Sequence, residues 1–120
     1  MSRTVALLLT ADVSDERTAT ALKLADRLLA RGHRVTVYAH GPATALAAGD
    51  GEVARAVAAL LRRGVHGGTL DWVVDEAEVA RRGLTGRLAP GVVAGDHADL
   101  WAFVRAADVV LSTGAGQGPR

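Results

Sequence analysis

The sequence predicts an α/β protein, a single domain built on a parallel sheet of about five strands that is doubly wound, with helices on both faces. Short apolar segments alternate along the chain with longer segments in which apolar residues recur every three or four positions. The longer segments are followed by Gly32, Gly64 and Gly83, where helices commonly end. The first apolar segment is continuous, which is typical of a strand covered on both faces.

The composition is consistent with one small core. The chain has 120 residues, which suits a single domain, and 49% of them are apolar. Aromatic residues make up only 3%, so the core must consist of Ala, Val and Leu. We expect the domain to span residues 1–113, followed by a glycine-rich flexible tail at 114–120.

The first half of the chain predicts a strand–helix–strand unit. Ser14 or Asp15 can cap the first helix, whose apolar face repeats with a helical period until Gly32. A second helix follows, which Gly64 should end. The expected elements are strand Thr4–Thr10, helix Thr18–Arg31, strand Arg34–Ala39, a short helix Thr44–Ala48 and helix Glu52–Arg63.

The second half repeats the alternation in shorter pieces. Asp96 is a good N-cap for the last helix, and Pro90-Gly91 predicts a turn. In chain order the expected segments are loop or broken strand Val65–Gly68, strand Thr69–Val74, helix Glu76–Arg82, loop Leu84–Ala89, strand Val92–Ala94, helix His97–Ala106, strand Asp108–Leu111 and tail Ser112–Arg120.

Composition also argues against several classes of function. The net charge is +1 and no basic stripe interleaved with aromatics is present, so nucleic-acid binding is not expected. No apolar run approaches a membrane span, and the N-terminal one is too short for a signal peptide, so we expect a cytoplasmic protein without membrane contact. Without cysteine there can be no thiolate metal site, and no histidine pair has helical metal spacing. We expect no metal and no cofactor.

Ligands of doubly wound sheets bind beyond the carboxyl ends of the strands. The side chains expected there are Thr10, Asp12, His40 and Asp75, which become the candidate ligand-binding residues. His40 has two interpretations, as a ligand contact or proton shuttle and as an exposed turn histidine.

Asp75 also has two interpretations. Asp75 and Glu78 have the spacing of a capping box, so Asp75 is expected at least to cap the helix that follows. It can also line a site, and Asp75 with His40 are the candidates for a catalytic acid and base.

Several segments, in their order and spacing, resemble the DsrE/DsrF-like (TusD-like) family of small sulfur-relay proteins. They are Ala21–Ala25, Arg31–Tyr38, Leu60–Val65, Asp75 with Ala80–Gly83, Gly95 and Ala107–Leu111. The resemblance implies a Rossmann- or flavodoxin-like fold and assembly into dimers, trimers or hexamers. It also implies an active cysteine just before the alanine-rich helix that ends in Arg81-Arg82-Gly83, and the residue here is Asp75. A carboxylate cannot hold a sulfane sulfur, so the family's sulfurtransferase activity is not expected.

Three hypotheses follow. The first is a non-catalytic DsrE-like subunit, acting as a homo-oligomer or as partner of a thiol-bearing paralogue. The second is a small-molecule-binding domain that uses the cleft at the carboxyl ends of the strands. The third is an enzyme that uses Asp75 and His40.

Overall fold

A computed structural model describes residues 3–12, 14–49, 51–67 and 70–112, with the backbone alone for 63–67. These residues form one sheet of five parallel strands in the order β4-β3-β2-β1-β5. The strands are β1 Thr4–Leu9, β2 Arg34–Ala39, β3 Leu70–Asp75, β4 Val92–Gly95 and β5 Val109–Ser112. The predicted parallel α/β sheet is therefore confirmed.

Helices connect the strands and cover both faces. They are α1 Glu16–Ala30, a 3-10 helix Gly41–Ala47, α2 Glu52–Gly67, α3 Glu76–Arg81 and α4 His97–Ala106. Within the described ranges, no helix combines the length and the apolar character needed to span a membrane.

The main core lies on one face of the sheet. There, alternate residues of β1, β2 and β3 pack against α1, α2 and the 3-10 helix, with Trp72 of β3 as the largest fully buried side chain. The second face carries Ala6, Thr36, Tyr38 and Val73, all buried. Only α4 among the described helices lies across that face, and none of its residues is fully buried.

The ends of α1 are set by local hydrogen bonds. Of the two predicted caps, Asp15 is the one used, and its carboxylate accepts from the backbone N–H of Arg17. At the other end Gly32 has a φ of +85°, and the N–H groups of Gly32 and His33 donate to the carbonyls of Leu29 and Leu28. This is the Schellman arrangement, which the glycine permits and which ends the helix.

Some predicted boundaries were wrong. Gly64 does not end α2, because the helix continues through Gly67 where a loop or broken strand was predicted. A glycine inside a helix costs only about 1 kcal/mol, which the packing of the preceding apolar face can outweigh. The short helix predicted at Thr44–Ala48 is a 3-10 helix that begins at Gly41, and Ser112 ends β5 instead of opening the tail. Thr69 and the predicted tail at 114–120 lie outside the described residues.

Candidate functional site

Asp75 lies at the corner where β3 ends and α3 begins. Its Oδ1 accepts hydrogen bonds from the backbone N–H of Ala77, at 2.9 Å, and of Glu78, at 3.2 Å. The side chain is half-buried and caps α3 as the sequence predicted. Two N–H groups that have no partner within the helix are thereby satisfied by one carboxylate.

Glu78 does not complete the predicted reciprocal cap in the structure. Its Oε1 lies 3.0 Å from Nη2 of Arg81 and its Oε2 lies 3.1 Å from Nε of Arg82. The hydrogen bond from Arg81, together with the one from Arg82, lowers the pKa of Glu78. Arg81 and Arg82 at the end of α3 thus form ion pairs with Glu78 of the same helix.

An open cavity of about 390 Å³ adjoins Asp75 at the carboxyl ends of β3 and β4. One wall comes from α3 and the other from the start of α4. It is lined by Asp75, Glu76, Ala77, Ala80, Gly95, Asp96 and His97. The sequence predicted Asp96 only as a helix cap and His97 only as the first residue of the capped helix, so it did not predict that the ends of β3 and β4 border one cavity.

The α4 side of the cavity is held by a complete capping box. Asp96 Oδ1 accepts from the N–H of Asp99 at 3.0 Å, and Asp99 Oδ2 accepts from the N–H of Asp96 at 2.9 Å. The hydrogen bond from the Asp99 backbone is the main reason that the pKa of Asp96 is lowered. The sequence indicated Asp96 but not Asp99, because the returning residue of this motif is usually Glu or Gln.

Gly95 allows β4 and α4 to meet at this point. A Cβ at this position would lie 2.8 Å from Cγ1 of Val73 and 2.9 Å from Oδ2 of Asp99. Any larger residue would therefore push against both the sheet and the capping box. The close approach explains why β4 ends in a glycine directly before the cap of α4.

Tyr38 lies beneath the cavity and is the buried polar group that sequence reasoning missed. Its side chain is 1% exposed, and its hydroxyl donates to the carbonyl oxygen of Asp96 at 3.3 Å. Burial, then the negative charges of Asp75, Asp96 and Asp99, raise the pKa of Tyr38 to about 12. The phenol therefore stays neutral at physiological pH and holds β2 to the start of α4.

The other predicted site residues lie elsewhere along the same edge of the sheet. Asp12 holds the β1–α1 loop, where its Oδ1 accepts from the N–H and the hydroxyl of Ser14. His40 precedes the 3-10 helix, with its ring centroid 6.1 Å from that of Tyr38. Thr10 follows β1 and is partly buried. None of these three lines the cavity at Asp75, so their role in binding, and that of Asp75 with His40 in catalysis, stays a prediction.

The chemistry open to this cavity follows from its charges. Asp75, Glu76 and Asp96 make its lining acidic, and the carboxylates of Asp75 and Asp96 already occupy backbone donors at the starts of α3 and α4. An anion would meet negative charge here instead of free N–H groups. Among the described residues, no group of three or more acidic, histidine or cysteine side chains is placed to hold a metal ion.

A substitution at position 75 measures the capping role. We expect Asp75→Ala to lower the free energy of unfolding by about 1 kcal/mol, because two helix N–H groups lose their acceptor. Asp75→Ser should retain most of that stability, since a hydroxyl can cap the same position. Urea unfolding of the three proteins makes the comparison. An alanine variant as stable as the wild type, or more stable, would indicate that the carboxylate is kept for something other than the helix.

Comparison with known proteins gives a fold but no sequence relative. No protein-family model and no curated protein matches the chain. Among solved structures, the YchN protein of E. coli is similar with a TM-score of 0.73 and 19% identity, over 93% of this chain and 99% of YchN.

Two further structures extend the likeness. MTH1491 of Methanobacterium thermoautotrophicum has a TM-score of 0.69 and 18% identity, over 93% of this chain and 99% of its own. BT1422 of Bacteroides thetaiotaomicron has a TM-score of 0.66 and 17% identity, over 92% of this chain and 94% of its own. Both are described as proteins of unknown function. At these identities the likeness concerns the fold, so the chain has the architecture of YchN-like proteins over nearly its whole length.

Proposed function

We propose that this chain is a non-catalytic, oligomeric DsrE-like subunit of a sulfur-relay-type system, working with copies of itself or with a thiol-bearing paralogue. The fold of YchN-like proteins and the resemblance of several sequence segments to the DsrE/DsrF-like family support the proposal.

The proposal rests on the position and the hydrogen bonds of Asp75. It occupies the strand-to-helix corner at which the resemblance implies a reactive cysteine, and its Oδ1 accepts two backbone hydrogen bonds from α3. A carboxylate offers no sulfur nucleophile, and the chain has no cysteine that could replace it. A subunit of this kind can keep the fold and the contacts of a carrier without carrying sulfur.

Size-exclusion chromatography with light scattering tests this role. The purified chain, alone and mixed with a thiol-bearing DsrE-like protein, should elute as an oligomer in at least one of the two experiments. A strict monomer in both would contradict the proposal. The mixture also separates the homo-oligomer from the mixed assembly, because only the latter changes mass when the paralogue is added.

The cavity at Asp75 favours ligand binding as a second candidate function. Its volume of about 390 Å³ lies within the range of small-molecule sites, and its acidic lining favours a cationic or hydrogen-bond-donating ligand over an anion. A thermal-shift screen of amines, nucleosides and anions tests this. We expect the amines alone to raise the melting temperature. They should raise that of the Asp75→Asn protein less than that of the wild type. A shift with anions alone would contradict it.

A further inference from the structure

Two cavities of about 240 and 210 Å³ lie between α1 and β5, on the face of the sheet that carries α1. Both are bordered by Leu24 of α1 and by Leu111 of β5, so they continue into one another. We call the two cavities together the β5 groove. The other apolar side chains that line it are Val5, Leu7, Leu9, Ala21, Leu28 and Val109.

The walls of the β5 groove, and not its floor, are the surface that a ligand would cover. The β1 side chains of the floor are at most 5% exposed and belong to the main core. On the walls, Leu24 and Leu28 of α1 are only partly buried, and Val109 and Leu111 of β5 are 38% and 40% exposed. Apolar contact with these wall side chains would remove them from water, which favours binding.

The length of the groove suits a short aliphatic chain. β5 borders it from Val109 to Ser112. A strand advances about 3.3 Å per residue, so this border is about 10 Å long, which is close to the length of an extended chain of about eight carbons. The two cavities together fall within the volume range of small-molecule sites.

One end of the groove carries positive charge. Arg3 and His33 border the cavity there, and Arg31, the C-cap of α1, follows Leu28 at the spacing that places two residues on the same side of a helix. The backbone N–H of Arg3 donates to Nδ1 of His33 at 3.1 Å, so the neutral imidazole carries its proton on Nε2 and can donate it. Among the described residues, the side chain of Arg3 has no ion-pair partner.

The carboxylates near the two ends of the groove have partners of their own. Asp108 precedes β5, and its Oδ2 accepts the backbone N–H of Thr4 at 2.8 Å. At the opposite end of the groove, Nη2 of Arg17 lies 2.7 Å from Oδ2 of Asp15, so these two charges offset each other. An anionic head group is therefore favoured at the end that carries Arg3.

We propose that the β5 groove binds a medium-chain aliphatic carboxylate, with its chain between α1 and β5 and its carboxylate at Arg3 and His33. A guanidinium and a neutral imidazole N–H both donate hydrogen bonds to a carboxylate, and the bond from a charged donor is the stronger of the two. The apolar walls supply most of the affinity, and the head group fixes the direction of the chain. This site lies apart from the cavity at Asp75, and binding here does not depend on the proposed assembly.

Isothermal titration calorimetry with octanoate, at concentrations below micelle formation, tests the site. Octanoate should bind at least about tenfold more tightly than butyrate, which has the same head group and fewer methylene groups to bury. Octanol has the same chain without the charge and should bind at least about threefold more weakly than octanoate. Anions without a chain, which serve in the thermal-shift screen of the Asp75 cavity, contact neither wall and should not bind.

Variants separate the contribution of the head group from that of the chain. Arg3→Glu should weaken octanoate binding at least about fivefold and leave octanol binding unchanged, because only the contact with the carboxylate is lost. Leu111→Gln should weaken the binding of both, because it makes the wall shared by the two cavities polar. Arg87→Glu, the same change of charge at an exposed residue outside the groove, is the matched control and should bind like the wild type. Circular dichroism verifies folding, and Val109→Gln replaces Leu111→Gln if the latter does not fold.

Methyl nuclear magnetic resonance locates the bound chain. Octanoate should shift the methyl resonances of Leu24 and Leu111 and leave those of Leu46, which is 1% exposed in the 3-10 helix, unchanged. Absence of octanoate binding, or equal binding by Arg3→Glu and the wild type, would overturn the inference without affecting the proposed assembly. Sedimentation with vesicles of anionic phospholipid, without binding of octanoate in solution, would overturn it in favour of a membrane contact.

Discussion

Replacing Trp72 by alanine should cost about 3–5 kcal/mol of unfolding free energy, the largest effect that we expect from any single substitution. Trp72 lies on β3 within the main core and is 1% exposed. Alanine would leave a void between β3 and the helices above it, where Ala, Val and Leu side chains cannot expand to fill the space. Chemical denaturation followed by far-ultraviolet circular dichroism measures the loss.

Trp72→Phe separates packing from polarity at this position, and Val93→Ala serves as an exposed control. Trp72 Nε1 is buried and has no hydrogen-bond acceptor within the described residues. Trp72→Phe should therefore cost much less than Trp72→Ala, because it removes this unsatisfied N–H along with part of the ring. Val93→Ala, at a side chain that is 59% exposed, should change stability by less than about 0.5 kcal/mol. A loss below about 1 kcal/mol for Trp72→Ala would contradict the core described above.

Raising the pH above 10 should weaken the fold through Tyr38. The folded-state pKa is raised from the ordinary 10 to about 12, first by burial and then by the carboxylates at the starts of α3 and α4. The unfolded chain therefore loses the phenolic proton first. Stability is fully present below about pH 10 and declines as the pH rises to about 12, by about 2–3 kcal/mol in all.

The single tyrosine of the chain makes this effect observable directly. Tyrosinate absorbance should titrate near pH 12 in the folded protein and near pH 10 in urea. Tyr38→Phe should abolish the tyrosine contribution to the alkaline loss of stability, although it also loses the hydrogen bond to the Asp96 carbonyl. A folded protein whose tyrosine titrates near 10 would mean that the phenol is neither buried nor close to the carboxylates.

Local signals of the sequence located most of the fold. Gly32 and Gly83 end α1 and α3 with φ values of +85° and +67°, as their positions after apolar periods predicted. Gly64 has the same sequence context but lies inside α2. A glycine permits a helix to end and does not force it to do so. Boundaries of this kind cannot be read from periodicity alone.

The candidate site was predicted only in part, for a similar reason. The capping role of Asp75 follows from residues next to it in the chain, and the structure agrees. The neighbours Tyr38, Gly95 and His97 come from other strands and helices, and their meeting depends on the strand order β4-β3-β2. Tyr38 in particular is an ordinary strand residue in the sequence, and only its position below Asp96 gives it a distinct role.

These observations connect the fold to the proposed role. The carboxylate of Asp75 caps α3 and that of Asp96 caps α4, so these two corners of the carboxyl edge are acidic and capped. The exposed large apolar side chains of the described residues lie instead on β5, on α4 and at Val93 of β4. The proposed function by assembly would need exposed apolar surfaces such as these, whereas function by sulfur chemistry would need a nucleophile at the corner.

The mass of the assembled protein after exposure to a persulfide-loaded sulfurtransferase tests that assignment most directly. Native mass spectrometry gives the subunit number, and denaturing the same sample gives any covalent addition. The account predicts the mass of an assembly, of this chain with itself or with the thiol-bearing paralogue, in which each released copy of this chain is unmodified. A chain that stays monomeric both alone and with the thiol-bearing paralogue, or a chain that has gained a covalently bound sulfur atom, would contradict it.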